Sequence, residues 1–358
     1  MKHLAKLATL MLAMLLGFAT TTVSADKLKV GFIYIGPPGD HGWTYAHDLA
    51  RKMVEEKLGD QVETIFVENV PEGPDAERFI QALAEEGCGL IFTTSFNYME
   101  PTLKVAKRFP DVKFEHATGY KQADNVATYS ARFYEGRYVQ GQIAAEMSKT
   151  GVIGYIASFP IPEVVRGINA FMLGAQTVNP NMKVKVVWVY TWYDPGKETD
   201  AAKVLMDQGA DIITQHTDST AAIQTAAARG IHAFGQASDM IHFAPNTQLT
   251  AIIDNWGPYY IARTQAVLDG TWTTGDTWHG MGPGMVVMAP FTNMPYSAQQ
   301  LARNTTAALT SGELHAFAGP IYNQAGELMV EAGAVADDFP MLATMNWYVQ
   351  GIDDKLPE

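Results

Sequence analysis

The chain has 358 residues, 47% of them hydrophobic, and a formal net charge of −13. That length supports two domains of ordinary size. The acidic balance argues against nucleic acid or an anionic membrane as partner, and the single cysteine, Cys88, excludes an intrachain disulfide.

The start of the chain reads as a secretory leader. Lys2, His3 and Lys6 form a basic opening, and 7–19 is an apolar run too short to span a bilayer comfortably. Val23-Ser24-Ala25 supplies small residues at the positions a signal peptidase reads. Cleavage is expected after Ala25, and no cysteine lies nearby to carry a lipid. Removing 25 residues from 358 leaves 333 for a mature periplasmic protein.

Strand and helix patterns then alternate. Lys29-Val30-Gly31-Phe32-Ile33-Tyr34-Ile35 is an apolar, β-branched run that ends at Gly36-Pro37-Pro38-Gly39. The pattern predicts helices over 44–58, 75–86 and 101–109, with strands over 63–68, 89–94 and 112–117. It restarts with a helix over 135–149 and a strand over 152–157. Helices over 164–178, 198–208 and 221–229 are then separated by strands over 183–190, 212–214 and 232–234. The tail carries a helix near 259–269, strands around 285–288 and a helix over 297–311. Continuous apolar strands between amphipathic helices predict parallel sheets covered on both faces. The expected architecture is α/β, with two doubly wound parallel-sheet lobes and a ligand cleft between them. Residues 26–128 with 254–280 are assigned to the first lobe, and 129–253 with 281–358 to the second. Three crossings, near 127–131, 250–254 and 278–284, are expected to form a hinge.

Enzyme motifs are missing. The segment after the first strand lacks G-x-G-x-x-G spacing, and two prolines remove N–H donors that a pyrophosphate would use. No phosphate loop and no G-x-S-x-G elbow is present. Asp40, His41, His47 and Asp48 fit no standard metal spacing, and Asp211, His216 and Asp218 are a similar case. Cys88, between two glycines, reads as a small buried hydrophobe. No catalytic group, metal or cofactor is expected.

In such lobes the ligand sits beyond the carboxyl ends of the strands. Those ends carry Asp40-His41-Gly42-Trp43, Ser95-Phe96-Asn97-Tyr98, Thr118-Gly119-Tyr120, Ser158-Phe159-Pro160, Thr191-Trp192-Tyr193-Asp194, Gln215-His216-Thr217-Asp218 and Gly235-Gln236-Ala237-Ser238-Asp239. Most of them hold one or two large rings. Trp43 and Trp192 stand at matching places in the two lobes and are expected to trap a flat ring. Phe159, Tyr193 and Trp256 add aromatic bulk, and Asn97 and Asp239 are the expected edge readers. Base–aromatic stacking is worth roughly 1–3 kcal/mol and a charge-assisted hydrogen bond roughly 1.5–3 kcal/mol. Together these are of the order needed for micromolar binding, about 8 kcal/mol.

The chain also resembles the basic membrane protein family of ABC transporter substrate-binding proteins. The carrying segments are Val30-Gly31-Phe32-Ile33 with Asp40-His41-Gly42-Trp43, Ala106-Lys107-Arg108-Phe109-Pro110-Asp111, and Tyr134-Glu135-Gly136-Arg137-Tyr138-Val139-Gln140-Gly141. Further on come Gly167-Ile168-Asn169-Ala170-Phe171, Asp194-Pro195-Gly196-Lys197-Glu198 and Gly209-Ala210-Asp211-Ile212-Ile213. The resemblance implies the type I periplasmic binding fold, a membrane permease as partner, and a nucleoside base stacked between rings at Trp43 and Trp192. It also implies an Asp and a Lys that hold ribose hydroxyls. Those positions fall on Ala237 and Asp254, so the chain departs from the ribose-binding pattern, and losing such a pair costs a nucleoside affinity relative to its base. The expected ligand is therefore a free purine such as adenine, guanine or hypoxanthine, captured by lobe closure of a monomer. An intact nucleoside, a secreted nucleoside hydrolase and a sensor subunit are the alternatives.

Overall fold

The computed structural model describes residues 26–357, so the expected leader and its cleavage site lie outside the described residues. In chain order the first strands and helices are β1 (Leu28–Ile33), α1 (Trp43–Leu58), β2 (Val62–Val67), α2 (Pro74–Glu85), β3 (Leu90–Thr93), α3 (Met99–Arg108), β4 (Lys113–Ala117) and β5 (Val126–Ala131). The next are α4 (Phe133–Met147), β6 (Val152–Ala157), α5 (Pro162–Val178), β7 (Lys183–Trp188), α6 (Pro195–Asp207), β8 (Ile212–Gln215), α7 (Ala221–Ala228), β9 (His232–Gly235) and β10 (Gln248–Asp254). Last come α8 (Gly257–Leu268), β11 (Asp276–His279), β12 (Val286–Met288), α9 (Tyr296–Ser311) and a small hairpin, β13 (Ile321–Tyr322) with β14 (Leu328–Val330).

Two six-stranded sheets result, in the orders β11-β5-β4-β3-β1-β2 and β12-β10-β9-β8-β6-β7. Every pairing in them is parallel except β12 on β10. Both lobes thus share the doubly wound order 2-1-3-4-5, whose strand order reverses between the first and third strands. Alternate residues of β1 point to opposite faces, yet Val30, Phe32 and Ile33 are all fully buried. Helices on both faces of the sheet cause this, and it is why the strands read as unbroken apolar runs.

The chain leaves the first sheet after Ala131, returns to it after Asp254, and leaves it again after His279. Residues 127–131 and 250–254, expected near the first two crossings, are the ends of β5 and β10, and the chain crosses just after each. The hairpin and the tail were not legible as elements. The tail buries Leu342, Met345, Tyr348, Val349 and Ile352 at irregular spacing, and its backbone is held by side chains of α5. Asn169 Nδ2 donates to Trp347 O at 2.7 Å, Val349 N donates to Asn169 Oδ1 at 3.0 Å, and Arg166 Nη1 donates to Leu342 O at 2.6 Å.

Helices α4 and α5 pack through glycines. A Cβ on Gly174 would stand 2.1 Å from Tyr138 O, and one on Gly141 would stand 1.9 Å from Phe171 O. Backbone contact this close makes the helix pair intolerant of a single methyl group. Gly174→Ala is expected to cost about 1–3 kcal/mol of stability, read as a drop in thermal midpoint. Gly275→Ala, where an added Cβ meets nothing within 4 Å, should leave the midpoint unchanged.

Candidate functional site

The carboxyl ends of both sheets face one cavity. Its walls are Ile35, Trp43, Ser95, Phe96 and Thr118 from the first lobe, and Glu163, Trp192, His216, Asp218 and Gln236 from the second. The residues follow β1, β3 and β4 on one side and β6 to β9 on the other, so the cavity spans both switch points.

Trp43 is fixed from below. The Asp40 carboxylate accepts from the backbone N–H groups of Gly42 (2.8 Å), Thr44 (3.0 Å) and Tyr45 (2.9 Å), satisfying donors that the first turn of α1 leaves open. His41 takes the left-handed φ of 62° that turns the chain into this cap. The Trp43 indole donates from Nε1 to Thr94 O at 2.6 Å. It packs edge-on against His47 (4.5 Å between ring centroids) and Trp256 (5.6 Å). Trp192 lies in the loop after β7. Its carbonyl accepts from Asp218 N at 3.0 Å, and its ring tilts over Phe159 at 4.8 Å. Buried Glu198 ties that loop down, accepting from Asp194 N (3.0 Å), Ser219 N (3.1 Å) and Ser219 Oγ (2.6 Å).

The lobes meet around the cavity. Trp192 Nε1 donates across the cleft to Glu72 Oε1 at 3.1 Å, and Ser238 Oγ donates to His41 O. At Gly42 the approach leaves no room for a side chain: a Cβ there would stand 2.4 Å from Asp218 O and 2.7 Å from its Cα.

Of the residues expected from sequence, Trp43 and Trp192 come together on the cavity walls. Phe159 and Tyr193 line an adjoining recess with Trp192 and Glu72. The other three lie elsewhere. Asn97 is exposed and donates to Glu72 Oε2 at 2.8 Å. Asp239 is exposed and accepts from Gln248 Nε2 (2.6 Å) and Ile241 N (3.1 Å). Trp256 is fully buried, stacked on His47 at 5.1 Å behind Trp43. The polar residues on the walls are Ser95, Thr118, Glu163, His216, Asp218 and Gln236. All but Glu163 stand at strand ends visible in the sequence. Glu163 sits in the first turn of α5, just past the segment a strand-end survey covers.

Glu163 and His216 form a hydrogen-bonded chain with Ser158: Ser158 Oγ to His216 Nδ1 at 2.9 Å, and His216 Nε2 to Glu163 Oε1 at 3.0 Å. Burial pushes the Glu163 carboxyl up, but the His216 hydrogen bond and the charges of His216, Arg166 and Arg137 hold it below its usual range. The Ser158 hydroxyl is buried and outside the cavity wall, so the chain orients a histidine rather than presenting a nucleophile. The carboxyls of Asp218 and Asp254 lie well above their usual range. Burial dominates both, helped by Asp40 and Glu198 for Asp218 and by Glu163 for Asp254. The other acids and histidines considered as metal ligands have structural work. Asp48 pairs with Arg51 and Lys52 at 2.7 Å each, and His47 Nδ1 bonds the Tyr260 hydroxyl at 2.5 Å.

The family model described as ABC transporter substrate-binding protein PnrA-like matches residues 27–308, both lobes included. The chain belongs to this family, Bmp. It is a substrate-binding protein of an ABC transporter, not an enzyme, and its partners are a small-molecule ligand and a permease. Such proteins work outside the cytoplasm. Among the described residues no helix is long and apolar enough to cross a membrane.

A purine-binding protein of Brucella abortus is 68% identical over 93% of this chain and 95% of its own length. A Haloferax volcanii protein, provisionally named an ABC transporter glucose-binding protein, is 35% identical over 93% of this chain and 82% of its own. Among solved structures, an ABC transporter solute-binding protein from Aeropyrum pernix matches with a TM-score of 0.71 at 21% identity, covering 80% of this chain and 92% of that one. That likeness bears on the fold, which is the type I periplasmic binding fold.

The buried, unpaired carboxyl of Asp254 gives a pH signature. A carboxyl whose folded value is raised costs stability once pH climbs above its unfolded value of about 4. In ligand-free protein, Asp254→Asn should therefore raise the thermal midpoint at about pH 7, by about 1–2 °C per kcal/mol relieved. The gain should vanish below about pH 4; a lower midpoint at neutral pH would contradict the assignment.

Proposed function

We propose that the chain captures a free purine base between Trp43 and Trp192 and presents it to the permease of its transporter. The observation that carries this reading is an indole from each lobe on the walls of one cavity. The purine-binding name of the Brucella relative points the same way. Absence of the ribose-holding pair favours a base over a nucleoside: Ala237 offers only a methyl group, and Asp254 stands where the resemblance implies a lysine. Asn97 and Asp239 act through loop structure in this reading, Trp256 backs Trp43, and Phe159 and Tyr193 shape the mouth.

Capture proceeds by closure. The lobes, 26–128 with 254–280 and 129–253 with 281–358, rotate about the three connecting passages. A bound ring bridges them and favours the closed state by its differential affinity. The permease then receives a closed, loaded monomer in the periplasm, after a leader has been cleaved behind Ala25.

Titration calorimetry with adenine, guanine, hypoxanthine, adenosine and glucose tests the ligand class. The bases are expected to bind, and adenosine more weakly; tighter binding of adenosine or glucose would overturn the reading. Trp43→Ala and Trp192→Ala should each weaken binding of the base roughly 5- to 150-fold, as the loss of one stacking face implies. Gly42→Ala should leave the melting of ligand-free protein unchanged and weaken binding at least roughly 10-fold, because the added methyl blocks the meeting of the lobes.

A further inference from the structure

Glu72 lies half-buried in the loop between β2 and α2, and its carboxylate gathers three donors. Two come from its own lobe: Ser95 Oγ donates to Oε1 at 3.1 Å, and Asn97 Nδ2 donates to Oε2 at 2.8 Å. The third crosses the cleft, from Trp192 Nε1 to Oε1 at 3.1 Å. The loop that carries Glu72 is itself braced. Val70 N donates to Tyr34 O at 3.0 Å, and the Tyr98 hydroxyl donates to Val70 O at 2.5 Å. The first lobe therefore holds the acceptor in place on its own.

Trp192 depends on that acceptor. Its ring lines the central cavity and also, with Glu72, Phe159 and Tyr193, the adjoining recess, so the indole stands as a partition between the two. Its aromatic neighbours are Phe159 at 4.8 Å and His216 at 6.2 Å, both tilted rather than stacked. Trp43 commits its indole N–H to a carbonyl of its own lobe, whereas Trp192 commits its N–H to the opposite one. A carboxylate acceptor makes this a charge-assisted bond. Because donor and acceptor follow strands of different sheets, the bond belongs to the closed state, and it acts on opening rather than on encounter.

We propose that Glu72 is a positioning residue that takes the Trp192 indole N–H across the cleft, fixes that ring against the bound base, and sets the rate at which the loaded lobes part. Ser95 and Asn97 hold its carboxylate for the purpose. This inference rests on the purine reading above.

Rapid-mixing measurements of adenine association and dissociation on a double-mutant cycle test it. Trp192→Phe keeps a ring and removes the donor; Glu72→Leu removes the acceptor. Each is expected to speed dissociation roughly 5- to 50-fold, the worth of a partly exposed charge-assisted hydrogen bond, and to leave association within about 3-fold of wild type. In the Glu72→Leu background, Trp192→Phe should add less than about 3-fold, because the bond is already gone. Asn97→Ala, which loosens Glu72 from an exposed position, should speed dissociation less, and should add nothing in the Glu72→Leu background. Melting midpoints of the ligand-free variants show that each one folds. Dissociation rates unchanged in the variants would overturn the role, as would effects of Glu72→Leu and Trp192→Phe that multiply independently; the purine reading would survive either result. If wild type binds no purine at all, the purine reading fails and this inference with it.

Discussion

Closing the cleft brings carboxyl groups together, and everything else around the cavity serves or offsets that fact. Asp40 stands on one lobe and Asp218 on the other, with Asp254 and Glu163 close by. Asp40 is satisfied by three backbone N–H groups and Glu163 by His216. Asp218 and Asp254 are not compensated to the same degree, and burying such groups costs free energy unless hydrogen bonds replace water. The closed cleft therefore favours a guest that supplies N–H donors. In our reading this makes closure conditional on the ligand, because a ligand shifts the equilibrium only by its differential affinity for the two states.

The aromatic residues hold the geometry in which that happens. Trp43 cannot turn freely: its indole N–H is committed to Thr94, and His47 and Trp256 press on its ring. Behind it, Phe32, Phe92, Tyr129 and Tyr260 fill the first lobe, and the Tyr129 and Tyr260 hydroxyls meet at 2.6 Å. Trp192 is held differently, through its own backbone and through Glu198. A rigid platform in one lobe thus faces a loop in the other whose indole N–H already reaches across to Glu72. Positioning by packing on one side and by loop hydrogen bonds on the other suits a cleft that opens and closes.

Much of the fold was legible in the sequence, because parallel strands covered on both faces leave long apolar runs such as 29–35. The strand-end rule also found most of the cavity wall. Choosing among strand-end residues was harder. Asn97 and Asp239 have edge-reading chemistry, but their side chains satisfy a neighbouring carboxylate and a 3-10 turn, and nothing in a linear sequence distinguishes a free amide from a committed one. Trp256 was expected to add bulk beside the ligand, yet it caps α8 from beneath, fully buried, where Gly257 lets Met53 approach. Asp254 came to attention as a departure from a family pattern. Its lack of partners is a tertiary fact, as is the fit of Gly42 against Asp218. The tail escaped because its hydrogen bonds to Arg166 and Asn169 leave no periodic trace.

A crystal structure of the protein grown with adenine or guanine tests the central claim most directly. The predicted result is one purine ring between the indoles of Trp43 and Trp192, with the lobes meeting at Gly42 and Asp218. A ligand bound outside that gap, or a closed cleft with no ring between the two tryptophans, would contradict it.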